Sequence, residues 1–231
     1  MRARYLVLLF VLLGADATPP AGGMITGTVL AIKNTKAVAY EYAYVFLEPA
    51  GRRRGPAPGT GIRREIVQKN KTFVPKVVVV PVGAEVAFPN FDVDAHNVFS
   101  PTDPVFDLGR YKTDKKGKSH RFDDTDEFDI FCDMHRDMWA KIKVVNTPYI
   151  AQVVGGKFTL ANVPPGTYKL VAWAPNTPET RYPKDITVTA GGTVTLDREI
   201  HLQLKTRSGC HDRKDGTLYD KADYNQCPKE F

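Results

Sequence analysis

Long apolar runs are almost missing from this chain of 231 residues. The one candidate, Tyr5 to Leu13, is too short to span a bilayer, and no later stretch reads as transmembrane. Its surroundings read as an export signal. Arg2 and Arg4 give a positive start, and Ala15-Asp16-Ala17 offers small residues at the cleavage positions. Residues 1–17 are therefore assigned to a signal peptide, and the mature protein is expected to be periplasmic or secreted. No cysteine follows the apolar run, which argues against a bacterial lipid anchor.

Cysteine is scarce as well, with three residues in all. In an exported protein Cys210 and Cys227 can close a terminal loop by a disulfide. Such a loop adds about 3 kcal/mol in the chain-entropy view. A zinc set of Cys210, His211 and Cys227 is the rival reading, and its spacing is irregular. Cys132 is left over, and an odd cysteine is often reactive or metal-bound. Helical periodicity is rare too, and no Ser-His-Asp set is visible, so a hydrolytic enzyme is not expected. Hydrophobic residues make up 42%, which excludes a disordered chain. The formal net charge of +6 is mild. Arg52, Arg53, Arg54, Arg63 and Arg64 cluster early but lack interleaved aromatics, so nucleic acid is not an expected partner.

Against this background, Phe131-Cys132-Asp133-Met134-His135-Arg136-Asp137-Met138 is dense in chemistry. A thiol, an imidazole and a thioether stand at Cys132, His135 and Met138. A mixed set of this kind suits copper: the soft sulfur holds Cu(I), the nitrogen holds Cu(II), and a weak axial Met serves both. Such a site needs a second histidine from elsewhere. His96 is the best candidate, because His120, His201 and His211 lack comparable surroundings. Met134 is expected to pack, the alternative being a rival ligand through its nearby sulfur. Asp123, Asp124, Asp126, Glu127, Asp129, Asp133 and Asp137 form an acidic run before and inside this loop. It is either a docking surface for a basic partner or a solvated strand edge.

The order Phe88-Pro89-Asn90, His96-Asn97-Val98 and Cys132-x-x-His135-x-x-Met138 resembles a cupredoxin, a plastocyanin-like blue-copper domain, with the short loop of amicyanin. The resemblance implies copper held by His96, Cys132, His135 and Met138. It also implies a supporting hydrogen bond from Asn97 to the cysteine loop, and single-electron exchange with a c-type cytochrome or a periplasmic oxidoreductase. Copper storage or delivery uses the same ligands and stays open. So does a structural or carbohydrate-binding surface protein with a vestigial cupredoxin.

The remaining pattern is strand-like. Met24 to Lys33 and Ala37 to Leu47 are rich in Val, Tyr and Ile. Tyr149 to Val154 and Lys157 to Leu160 flank Gly155-Gly156 as a hairpin should, and Gly191-Gly192 is expected to turn a second one. Lys112 to Lys118 reads as a solvated hairpin tip. The run from Gly156-Lys157-Phe158-Thr159-Leu160 to Val163-Pro164-Pro165-Gly166-Thr167-Tyr168 resembles a carboxypeptidase regulatory-like domain, a small transthyretin-like sandwich. The expected fold class is all-β: a Greek-key cupredoxin sandwich at 51–147, inserted in a second sandwich built from 24–50 and 148–204. A tail at 205–231 follows, closed by Cys210 and Cys227. Two consecutive domains are the simpler alternative. The whole is similar to exported plastocyanin-like proteins labelled methylamine utilization proteins.

Overall fold

The computed structural model describes residues 21–49, 57–205, 211 and 213–217. The expected signal peptide, the arginines at 52–54 and both Cys210 and Cys227 lie outside them. Among the described residues the protein is all-β, with four five-stranded sheets and no helix. Among the described residues no helix is long and apolar enough to cross a membrane.

Two of the sheets enclose the residues between 63 and 145. One runs Phe106–Tyr111, His96–Ser100, Glu127–Cys132, His135–Val145 and Val77–Pro81. The other is centred on Ala84–Asn90, flanked by Asp114–Phe122, Val67–Lys69 and Arg63–Glu65. The inward side chains between them include Val78, Val80, Phe88, Val98, Phe128, Ile130, Cys132, Met138 and Ile142. The strands obey the period of two: Phe128, Ile130 and Cys132 face inward, while Asp129 and Phe131 face out.

The other two sheets draw on both ends of the described chain. Gly23–Lys33 pairs with Lys157–Val163 and runs parallel to Thr193–Thr195 and Ile200–Gln203. Tyr44–Pro49 lies between Ile150–Gln152 and Gly166–Trp173. Their shared core contains Ile25, Leu47, Phe158, Leu160, Leu170 and Ile186.

A third apolar cluster joins the two sandwiches: Phe46, Val77, Val79, Trp139, Val145, Val171 and Trp173. This contact explains the run Val77–Pro81, which is buried at every position. A strand covered on both faces has no solvent side to mark with polar residues. Polar groups reinforce the seam. Trp173 Nε1 donates to Glu127 Oε1 at 2.7 Å, and Tyr44 O–H donates to the Val77 carbonyl at 3.0 Å. Lys143 bridges Glu179 at 2.9 Å. Lys141 is buried but paired with Asp129 at 2.8 Å, as a buried charge must be.

Three local expectations are corrected. Gly155-Gly156 does turn the chain, with φ of 57° and 78°, but Ile150–Gln152 and Lys157–Val163 enter different sheets, joined only by a bridge at Val154 and Lys157. Likewise Ile186–Val188 and Thr193–Thr195, on either side of Gly191-Gly192, belong to opposite sheets. Lys112 to Lys118 is not a hairpin tip, because Asp114–Phe122 is a strand paired with Ala84–Asn90. In each case the alternation specifies a strand without naming its partner.

Candidate metal centre

His96 opens the strand His96–Ser100 and is fully buried. The loop before it is held by Asn90, itself buried. Asn90 Nδ2 donates to the carbonyls of Asp94 at 3.0 Å and Tyr111 at 3.2 Å, while its Oδ1 accepts the Asp92 N–H at 2.9 Å. Asp92 then reaches back to the ring. Its Oδ2 lies 2.8 Å from His96 Nε2. The same carboxylate accepts the N–H groups of Asn70 at 2.7 Å and Lys71 at 2.8 Å. Burial pushes the Asp92 carboxyl up, but those two N–H groups and His96 outweigh it and hold it below the usual range. With Nε2 tied to a carboxylate, the Nδ1 lone pair of His96 faces the interior.

What it faces is the second element. Cys132 ends the strand Glu127–Cys132 and His135 begins His135–Val145, so the two stand opposite each other across a tight turn. His135 Nδ1 lies 3.2 Å from His96 Nδ1 and 3.6 Å from Cys132 Sγ. All three donor atoms fall within 4.8 Å of one another. Cys132 is fully buried and His135 half-buried. Burial pushes the Cys132 thiol up, although the backbone N–H groups of Asn97, Met134 and His135 oppose the rise. Burial pushes the His135 imidazole down, and the His96 ring beside it adds to the shift. Both nitrogens and the sulfur thus meet in a largely buried space, a donor set whose chemistry suits a soft cation.

Met138 is fully buried in the same apolar cluster as Cys132, on the inward side of its strand. Asn97, also fully buried, links the two ligand elements. Its Oδ1 accepts the Asp133 N–H at 2.9 Å and its Nδ2 donates to Asp107 at 2.7 Å. Met134, expected to pack, is instead 41% exposed at the tip of the loop. His120 stacks on Phe106 with 4.0 Å between ring centroids, and His201 is exposed beside Glu199.

Several groups around the centre escaped the sequence reading. Asp92 stands four residues before His96, a spacing that would have marked it had the segment been helical. Part of the acidic run is paired within the protein, while Asp124, Asp126 and Asp137 are exposed. Glu127 and Asp129 face Lys141 and Lys143, and Asp133 faces Arg110 at 2.6 Å. His211 belongs to the centre's surroundings after all. Its ring stacks on Phe131 at 4.1 Å, and its Nε2 lies 3.3 Å from the His135 carbonyl oxygen.

A sequence family described as polysaccharide lyase family 4, domain II, matches residues 141–196. It replaces the carboxypeptidase regulatory-like family expected there. The short Gly-Lys-Phe-Thr-Leu to Gly-Thr-Tyr run prescribes only strands and turns, which unrelated small sandwiches share. No curated protein matches the chain. Among solved structures, amicyanin from Paracoccus versutus is similar at 18% identity over 46% of this chain and 100% of that one, with a TM-score of 0.33. A purple cupredoxin from Nitrosopumilus maritimus shares 21% over 36% of this chain and 99% of its own, with a TM-score of 0.31. A reduced mutant of amicyanin shares 20% over 39% and 86%, with a TM-score of 0.34.

Proposed function

We propose that the mature chain is an exported type 1 copper protein that carries single electrons, with one copper held by His96, Cys132, His135 and Met138. The observation that carries this reading is the convergence of two imidazole Nδ1 atoms and one thiol sulfur within 4.8 Å. Two nitrogens and a thiolate with a weak thioether are the donor set of electron-transfer copper. Bound copper would supply a one-electron Cu(II)/Cu(I) couple. The protein's share is positional. Asp92 fixes the His96 ring, Asn97 fixes the cysteine loop, and backbone N–H groups stabilise the Cys132 thiolate. The burial of Met138 in the Cys132 core supports the axial role.

Four protein ligands leave no open position for a substrate, which supports a carrier rather than an enzyme. The burial of His96, Cys132 and Met138 favours electron transfer over storage or delivery, because handing the ion to another protein would require the loop to open. A redox partner, such as a c-type cytochrome or a periplasmic oxidoreductase, would meet half-buried His135 and exposed Met134. The pairing of Gly23–Lys33 and Tyr44–Pro49 with strands beyond residue 150 supports an interrupted second sandwich around residues 51–147.

The test is a visible spectrum. The copper-loaded mature protein is expected to show an intense thiolate-to-Cu(II) band that disappears in Cys132→Ser, with circular dichroism unchanged. A band that survives Cys132→Ser refutes the assignment.

A further inference from the structure

The five described residues at 213–217, with His211 before them, return to the metal-binding loop from more than seventy residues away in sequence. Their contacts fall on one flank of it. The His211 ring is buried, stacks on Phe131 at 4.1 Å with an interplanar angle of 21°, and lies 6.2 Å from Phe99. Its Nε2 is 3.3 Å from the carbonyl oxygen of His135. Three residues later the Lys214 N–H donates to Asp133 Oδ1 at 3.3 Å, and Lys214 Nζ pairs with Asp107 Oδ2 at 2.9 Å. Asp107 and Asp133 are the two residues that Asn97 joins. Arg110 closes the same network on Asp133 at 2.6 Å.

We infer that His211 and Lys214 are positioning residues of the metal centre, which wall off the Phe131 side of the Cys132–His135 loop and hold its acidic network neutral. Three physical points lead there. Phe131 points away from the inner core, so without His211 its ring and the adjoining loop backbone would be uncovered on this side. Asp133 follows Cys132 directly and is buried, and a buried carboxylate beside a thiolate ligand would favour the more positive metal ion unless cations answer it. Arg110 is the cation on Asp133, and the Lys214 ammonium, paired with Asp107, adds its charge to the same network. Finally, water reaching the loop would favour the more highly charged oxidised centre. Ring and cation therefore act in one direction, and losing either lowers the reduction potential.

The experiment uses full-length mature protein with His211→Ala, His211→Phe, Lys214→Met and Lys214→Arg, each checked by thermal melting. The metal-free readout is the rate at which iodoacetamide alkylates Cys132, measured by peptide mass with the other cysteines in their native state. His211→Ala is expected to raise it about tenfold, the effect of losing one hydrogen bond and one ring contact, and His211→Phe to restore most of the protection. The metal-dependent readout is the reduction potential by voltammetry. It should fall in Lys214→Met and in His211→Ala, and return in Lys214→Arg. Unchanged alkylation in His211→Ala together with an unchanged potential in Lys214→Met overturns the inference. The potential rests on the copper reading above, whereas alkylation does not. Failure to bind copper would sink that reading and leave the wall to be decided by Cys132 protection.

Discussion

Replacing Asp92 by Asn asks how much of the centre is built outside its ligands. The Asp92 carboxylate serves three donors at once. Oδ1 takes the Asn70 N–H, and Oδ2 takes both the Lys71 N–H and His96 Nε2. An amide has one oxygen. If it sits at the Oδ2 position, its NH2 group faces the Asn70 N–H, donor against donor. If it flips, His96 and Lys71 lose their acceptor. One hydrogen bond to a charged group is lost in the first case and two in the second, each a contact of about 1.5–3 kcal/mol, and the imidazole loses its anionic partner. Removing such a partner costs metal affinity about 10–100-fold. Asp92→Asn is therefore expected to weaken Cu(II) binding by that factor and to raise the reduction potential, because a less basic imidazole donates less to the oxidised ion. Chelator competition reads the affinity, and nitrogen-resolved NMR of the metal-free protein reads the His96 tautomer. Unchanged affinity with an unchanged tautomer would show that the ring is held by packing alone, and the argument from Asp92 would fail.

Met138→Leu should raise the potential while the blue colour remains, because the thioether donates to copper and mildly favours Cu(II). A volume-conserving swap of this kind costs less than about 1.5 kcal/mol, so the fold should survive, and exposed Met134→Leu should leave the potential alone. Peptide mapping of the unreduced mature protein should find Cys210 linked to Cys227 and Cys132 unlinked; a linked Cys132 peptide would refute this and the copper site together. Acid should destabilise the metal-free protein in a defined window. Burial pushes the Asp92 and Asp107 carboxyls up, but their hydrogen-bond donors outweigh it and hold both below the usual range. The stability they contribute is fully present above about pH 3.9 and is lost as pH falls below that value. The melting temperature should change little through these groups from pH 7 to 5, then drop, and Asp92→Asn should blunt the drop.

Legibility in the sequence tracked distance along the chain. Cys132 and His135 were legible as neighbours because one tight turn joins them, and Met138 follows on the inward side of the strand that His135 opens. His96 could be picked from five histidines only by its neighbours Phe88-Pro89-Asn90 and Asn97. Asp92 was invisible, since its role depends on a loop shape set by Asn90 and by the turn at Asn70 and Lys71. His211 was invisible for a different reason: nothing local to Cys210 or Asp215 hints that the tail returns to Phe131. The all-β class was legible in period-two patterns, but sheet partners were not. Strand alternation fixes which side chains face inward and leaves open whether a Gly-Gly turn folds a hairpin or passes the chain to the opposite sheet.

The acidic run shows the same gap from the side of electrostatics, and it bears on how the protein meets a partner. Seven carboxylates between 123 and 137 look from the sequence like one negative surface. In the fold they divide by strand face. Glu127 and Asp129 point outward from the inner core toward the second sandwich, where Lys141 and Lys143 from the neighbouring strand meet them. Trp173 and Glu179 of that sandwich complete the seam. Asp133 points to Arg110 and Lys214. These three charges brace the sheet that carries the loop, whereas Asp123, Asp124, Asp126 and Asp137 stay exposed to solvent. A sheet fixed on both faces holds Cys132 and His135 at one spacing, which is what the proposed copper centre would need to suit two oxidation states. A partner docking here, as proposed, would meet the half-buried His135 ring, the exposed Met134 and the exposed Asp137 carboxylate, so contact at the loop tip and charge would both contribute to recognition.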